Sequence, residues 1–160
     1  MNIGFTNNTL PKAGTLVLTV SDKGLGNLGK SLDKSLKGQL TKAIKTKSFK
    51  GALKSTLTLL APAGSPLDQI ILLGMGDLKT LSLNESETLG GIAAGACKKV
   101  KGTATLVVDL TAKPKAGEDD IAAHMAMGCL LRSYSFTKYK TKNVDKPSLN
   151  KITFGVTSTT

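Results

Sequence analysis

The stretch Gln69-Ile70-Ile71-Leu72-Leu73 constrains the fold more than any other part of this chain. A strand with one wet face alternates apolar and polar side chains. This one is apolar on both faces, so it belongs in the interior of a sheet covered on both sides. Pro66 before it and Gly74 after it hold it to strand length.

The flanking patterns supply the rest of the sheet and its cover. Ile3-Gly4-Phe5 and residues 15–20, 56–60, 104–110 and 152–156 are rich in β-branched and aliphatic residues and read as strands. Pro11 and Gly14 punctuate the first two. Leu28, Leu32, Leu36, Leu40 and Ile44 recur every four residues, which predicts one helix with lysines on its opposite side, weakened only at Gly38. Asn84 followed three residues later by Glu87 predicts the cap of a second helix running to about Lys99. Its apolar face is Leu89, Ile92, Ala93, Ala96, Cys97 and Val100, and Gly90, Gly91 and Gly95 imply a helix pressed tightly against a sheet. Glu118-Asp119-Asp120 opens a third helix, where acids favour the positive end of the dipole. That helix carries Ile121, Met125, Gly128, Cys129 and Leu131. The order β-β-α-β-β-α-β-α-β predicts a three-layer α/β domain with a mixed central sheet and helices on both faces. The length of 160 residues suits one such domain. "KYKTKNVDKPSLN" reads as a surface connection within it, and "TSTT" as a polar tail.

No apolar run approaches the roughly 20 residues that cross a bilayer, and the N-terminus lacks the pattern of a signal peptide, so a cytoplasmic location is expected. Cys97 and Cys129 stand alone among apolar residues and read as small buried hydrophobes. The net charge of +11 raises the question of nucleic acid. Its composition argues for solvated lysine faces, because Arg132 is the only arginine and the aromatics are 2 Tyr and 4 Phe. Bidentate phosphate recognition favours arginine, and base stacking needs aromatic rings.

Three motifs could carry chemistry. Gly24-Leu25-Gly26-Asn27-Leu28-Gly29-Lys30-Ser31 matches the phosphate-binding loop G-x-x-x-x-G-K-[ST], with Asp109 at the end of a later strand as a possible metal partner. Glycine, lysine, serine and threonine are all abundant here, Ser21-Asp22-Lys23 separates the motif from its strand, and Leu28 already belongs to the apolar ridge. The motif therefore reads as a helix entrance with Lys30 in solvent. Gly74-Met75-Gly76 lacks the third glycine of a dinucleotide fingerprint, since position 79 is Lys79, and reads as a tight turn leaving a strand. Asp120 and His124 share a helix face, but this is the only histidine and no H-E-x-x-H accompanies it. No catalytic, cofactor-binding or metal-ligating residue is assigned in this chain.

The chain resembles the N-terminal domain of the cytosolic leucyl aminopeptidases, a family of dinuclear metallo-aminopeptidases. Phe49-Lys50-Gly51 is similar to the family's F-x-G before a strand. Ile70-Ile71-Leu72-Leu73-Gly74-Met75-Gly76 is similar to its strand-turn, and "GGIAAGACK" to its alanine- and glycine-rich helix. The most specific match is "AMGCLLRSYSFTKYKTK", carried by Gly128, Leu131, Tyr134, Phe136, Tyr139 and Lys140, with Thr137 where the family has an acid. The resemblance spans roughly residues 14–156 and implies a macro-domain-like fold. It also implies that the two divalent metals, zinc or manganese, and the "N-T-D-A-E-G-R" signature belong to a C-terminal catalytic domain absent from this chain. The chain alone is expected to be inactive. The implied roles are assembly into a homo-hexamer and access to the active site, with the catalytic domain and other subunits as partners. Alternatives are a binding module for nucleic acid or an ADP-ribose-like ligand and, less favoured, a nucleotide hydrolase.

Overall fold

Six strands form one sheet in the order β1-β6-β5-β2-β4-β3. The computed structural model describes residues 1–134 and 149–156. The strands are β1 (Asn2–Asn7), β2 (Gly14–Ser21), β3 (Thr56–Leu60), β4 (Leu67–Gly76), β5 (Gly102–Val107) and β6 (Leu149–Val156). All neighbours are parallel except β3, which runs antiparallel to β4 along the edge. The sheet is therefore mixed. Between the strands lie α1 (Asn27–Ser35), α2 (Gln39–Thr46), α3 (Leu83–Ala96) and α4 (Glu118–Ser133).

The doubly apolar strand sits where its composition demands. Ile70, Leu72 and Leu16 face one core with Leu32, Leu36 and Leu40 of the α1–α2 layer. Ile71, Leu73 and Val17 face a second core with Leu89, Ile121 and Met125 of the α3–α4 layer. Full burial of each such side chain contributes about 1.5–3 kcal/mol. Two cores of this kind require helices on both faces, and the described residues provide two on each.

The four-residue ridge is buried as its spacing implies, but it is carried by two helices, not one. α1 ends at Ser35 with Leu36 at its C-cap, and the backbone turns left-handed at Lys37 (φ 55°) and Gly38 (φ 82°) before α2 begins. Asp33 stabilises the break: its Oδ1 accepts the Leu40 and Thr41 N–H groups at 2.9 and 3.2 Å, and its Oδ2 accepts the Thr41 hydroxyl. α3 starts two residues earlier than the Asn84–Glu87 spacing suggests. Ser82 caps it, accepting the Glu85 N–H at 3.1 Å, while the Glu85 carboxylate accepts the Ser82 N–H at 2.8 Å. Both spellings exist in "SLNESE", and the Ser82–Glu85 pair is the one that forms the box. The polar tail, residues 138–148 of the surface connection and the motif residues Phe136, Tyr139 and Lys140 lie outside the described residues, whereas Leu149 and Asn150, read as the end of that connection, begin β6.

α3 and α4 touch backbone to backbone. A Cβ on Gly90 would stand 1.9 Å from the Met125 carbonyl oxygen, and one on Gly128 would stand 1.8 Å from that of Glu87. Neither space can hold a methyl group, so the glycines set the distance between the two helices. Cys129 uses the same approach, its Sγ lying 3.1 Å from the Gly90 carbonyl to which it donates. Gly128→Ala and Gly90→Ala are each expected to cost about 2–4 kcal/mol by forcing the helices apart. Gly91→Ala, whose Cβ would meet only ordinary contact at 3.7 Å, is expected to change stability by less than about 1 kcal/mol. Urea unfolding of the three variants checks this ranking.

Candidate functional site

In an open α/β sheet, ligands bind beyond the carboxyl ends of the strands where successive connections leave to opposite faces. Here that point lies between β2 and β5. The chain leaves β2 for α1 on one face and leaves β5 for α4 on the other. The loop-like motif at residues 24–31 opens onto this crevice.

The path from β2 into α1 is short. Gly24 donates to the Ser21 carbonyl at 3.0 Å with φ of +97°, and Gly26 occupies the N-cap position without a side chain to offer the helix. The first-turn N–H groups still need acceptors. Asp109, only 4% exposed, supplies one: its Oδ2 accepts the Gly29 N–H at 2.8 Å. A Cβ on Gly26 would lie 2.5 Å from the Asp109 Oδ1, so the carboxylate rests directly against the N-cap residue. A carboxylate of the chain itself therefore occupies the position a phosphate would take in a phosphate-binding loop. Lys30 is exposed and lines a shallow groove of about 460 Å³ between α1 and α2, beside Lys34, Lys45, Leu25 and Ile44. The helix-entrance reading holds. Asp109, set beside the motif as a possible metal partner, is the helix's cap.

Burial pushes the Asp109 carboxyl above the ordinary carboxylate range; the Gly29 and Leu28 N–H groups pull it down, and the charge of Glu118 raises it. Thr19 fixes the backbone beneath, its Oγ1 accepting the Asp109 N–H at 2.8 Å and donating to the Asp109 carbonyl at 3.2 Å. The Ser21 and Thr111 hydroxyls meet at 2.7 Å just beyond. These bonds explain why β5 ends at Val107 although the apolar run continues to Leu110.

Gly74-Met75-Gly76 lies within β4 and is not a turn leaving it. Segment 51–55 crosses directly over it. Gly74 donates to the Ser55 carbonyl at 2.7 Å and Gly76 to that of Gly51 at 2.9 Å, and a Cβ on Gly74 would stand 2.0 Å from the Ala52 carbonyl oxygen. Gly51, at φ +68°, passes equally close to the Ser21 carbonyl oxygen, with 2.2 Å to an added Cβ. Phe49 packs into the α1–α2 core. The F-x-G and strand motifs thus interlock at one place, covering the ends of β2 and β4.

Asp120 and His124 do not converge on a third ligand. The His124 Nδ1 lies 4.0 Å from the Glu87 carboxylate of α3, and among the described residues no three His, Cys, Asp or Glu side chains gather as a metal would require. The donors described do not fit a two-metal centre. Cys97 and Cys129 are free and buried; burial pushes their thiols up to about 11 and about 12, which keeps them in the unreactive form.

Residues 16–143 match the family model described as the cytosol aminopeptidase family, N-terminal domain. The chain belongs to this family. A probable cytosol aminopeptidase of Chelativorans sp. (strain BNC1) is 34% identical over 141 residues, covering 88% of this chain and 28% of that protein. One of Xanthobacter autotrophicus is 36% identical over 135 residues, covering 84% of this chain and 27% of that protein. The chain thus spans a little over a quarter of the length of these relatives. Among solved structures, a tomato leucine aminopeptidase mutant superposes with a TM-score of 0.80 at 19% identity, covering 100% of this chain and 33% of that one. The macrodomain of Mycobacterium tuberculosis DarG gives 0.65 at 10% identity, covering 96% and 97%. The fold is macrodomain-like.

Asp109→Ala strands the N–H groups at the start of α1 and is expected to cost about 1–3 kcal/mol, whereas Lys30→Ala is expected to stay within about 0.5 kcal/mol. Asp109→Asn retains a neutral acceptor. Because folding raises the Asp109 pKa, the native state holds its proton more tightly than the unfolded chain does. The wild type should therefore lose stability to this group as pH climbs from the ordinary carboxylate value through the raised one. Asp109→Asn should lack that loss, so its stability relative to wild type rises across the same window. Thermal melts from pH 3.5 upward check the sign.

Proposed function

We propose that this chain is the non-catalytic N-terminal domain of a leucyl aminopeptidase, serving the assembly of the enzyme and access to its active site. The observation that carries this reading is the family match over residues 16–143 in a chain that spans only 28% of a relative's length. The parent activity is metal-dependent release of N-terminal residues from peptides. Its two divalent metals, zinc or manganese, belong to the catalytic domain, which is the partner of this one in a homo-hexamer. A cytoplasmic setting agrees with relatives named cytosol aminopeptidases. Among the described residues, no helix is long and apolar enough to cross a membrane.

The alternatives weigh less. A pyrophosphate of an ADP-ribose-like ligand, or of a nucleotide in the residue 24–31 motif, would have to displace the Asp109 carboxylate from the α1 N-terminus. The pure chain is expected to release no leucine from a leucyl amide with manganese or zinc supplied. Metal-dependent turnover by homogeneous protein would overturn the reading.

One observation favours a second role in binding nucleic acid. Nine exposed lysines, Lys23, Lys30, Lys34, Lys37, Lys42, Lys45, Lys47, Lys50 and Lys54, lie between residues 22 and 54 against two acids, Asp22 and Asp33. Asp33 is engaged in capping α2. Such a face holds a phosphate backbone by charge alone, without reading sequence. Fluorescence anisotropy with duplex DNA should show binding that weakens at least tenfold between about 50 and 200 mM salt and falls in the Lys42→Glu/Lys45→Glu variant. Flat anisotropy at 50 mM salt removes this role.

A further inference from the structure

The sheet ends at β3, and the hydrogen bonds of that strand show which of its backbone groups are left over. At its two ends Gly74 donates to the Ser55 carbonyl at 2.7 Å and Ala61 to that of Asp68 at 2.9 Å, in one unbroken antiparallel register with β4. Such a ladder alternates, so Ser55, Leu57, Leu59 and Ala61 bond to β4, and Thr56, Thr58 and Leu60 turn their N–H and C=O groups outward. Among the described residues nothing pairs with these groups, since β3 has no neighbour beyond β4. Residues 135–148 span at most about 50 Å and residues 157–160 about 14 Å. Both are tied to β6, which lies about 19 Å from β3 across β5, β2 and β4. A path out to β3 and back leaves too little chain to lie along it. Edge strands usually carry charge, proline or a bulge that deters pairing, and Thr56-Leu57-Thr58-Leu59-Leu60 has none of these.

We propose that β3 pairs with β3 of a second copy of the chain, antiparallel about Thr58, so that two sheets become one. A two-fold axis there sets Thr58 against Thr58 and Thr56 against Leu60 of the second copy. These are the residues whose groups face outward, and the three positions make about six N–H···O bonds without moving either strand. Neighbouring registers fit less well. Centring on Leu57 would set Leu60 against Lys54, which has a φ of 70° and whose N–H already bonds to Gly74. Centring on Leu59 would set Thr56 against Pro62, which has no N–H to give. Side chains agree with the Thr58 axis. Leu57 and Leu59, packed against the α1–α2 core, stand opposite each other in the pairs whose side chains come closest, and so extend that apolar row. On the other face Leu60, 71% exposed, gains cover from the Thr56 methyl group. One surface fits itself, as a two-fold contact requires.

A strand of 5 residues makes a contact well under the ~1,200 Å² of a standard stable interface. α2 lies beside β3, so pairing also brings the exposed Lys42 and Lys45 of the two copies toward each other. The dimer should therefore be weak and reversible, with a Kd on the order of 100 µM once salt screens the lysines. Each copy uses its β3 edge on the other, so association stops at two. The proposal gives the assembly role suggested above a particular surface, and it can fail without touching the absence of peptidase activity in the isolated chain.

Sedimentation equilibrium of the 160-residue chain tests it, from about 10 µM to about 1 mM in about 0.5 M salt. The wild type should pass from monomer to dimer and no further. Thr58→Pro removes the N–H at the axis, which makes no bond to β4, and should weaken pairing at least tenfold while the melting temperature stays within about 3 °C. Thr58→Lys and Thr58→Glu, at the same exposed position, each set like charges face to face and should weaken pairing as much. An equimolar mixture of those two should recover a heterodimer. A wild type that stays monomeric to about 1 mM overturns the proposal and leaves the edge to a strand of another protein. Dimerisation unaffected by Thr58→Pro, or species larger than a dimer, also overturns it. Loss in both charged variants without recovery on mixing overturns the Thr58 register.

Discussion

A single carboxylate ties together parts of this molecule that the sheet alone leaves separate. Asp109 leaves the end of β5, crosses the end of β2 and accepts the first-turn N–H of α1 in the opposite layer. The bond stands at the place where the two halves of the sheet send their connections to different faces. Without an acceptor there, α1 would begin with Gly26 at its N-cap and unsatisfied N–H groups inside the structure. The cost of burying the carboxylate, visible in its raised pKa, is partly offset by the N–H groups it meets. Helix dipole and buried acid each need the other.

The two layers solve their packing differently, and that difference reaches the surface. In the α1–α2 layer, leucines hold the helices to the sheet and lysines cover the outside, so the face presents charge to solvent. In the α3–α4 layer, Gly90 and Gly128 let the helix backbones meet, which brings α3 and α4 together as one slab. Its outer side carries apolar residues where the first layer carries lysine. Exposed Asp119, Asp120 and Arg132 put charge on this layer as well.

Much of this was legible in the residues. The double-sided apolar run at 69–73 places a strand inside a covered sheet, where β4 lies second from the edge, and the four-residue ridge marks a buried face; the glycines of α3 read as contact with the sheet, whereas Gly90 meets α4 instead. Periodicity could not reveal the break at Gly38, because Leu36 and Leu40 remain on the buried side whether one helix or two carries them. The Asp33 cap that decides it depends on geometry across the break. The cap of α3 is ambiguous in sequence because two spellings of the same motif overlap, and the Ser82–Glu85 pair is the one that forms. Asp109 reads from sequence as an acid ending a buried strand, and its bond to Gly29 depends on geometry across the sheet. A glycine-rich helix start with no Ser, Thr or Asp of its own was the available signal that an acceptor must arrive from elsewhere. The exposure of Leu131 was hidden because it reads as core when a helix face is assigned from composition alone.

The likeness to macrodomains shows how little a fold decides about its crevice. The DarG macrodomain and this chain cover nearly all of each other, yet at 10% identity only the architecture is shared. What a crevice can accept depends on the groups at the strand ends. Here segment 51–55 lies on Gly74 and Gly76, and a carboxylate sits on the α1 N-terminus. A phosphate would meet a like charge already bound to the donors it needs, and would have to evict it from a site where it is 4% exposed. A neutral ligand would gain nothing from the helix dipole. What this crevice accepts is therefore set by Asp109 and by the backbone of segment 51–55, not by the fold it shares with macrodomains.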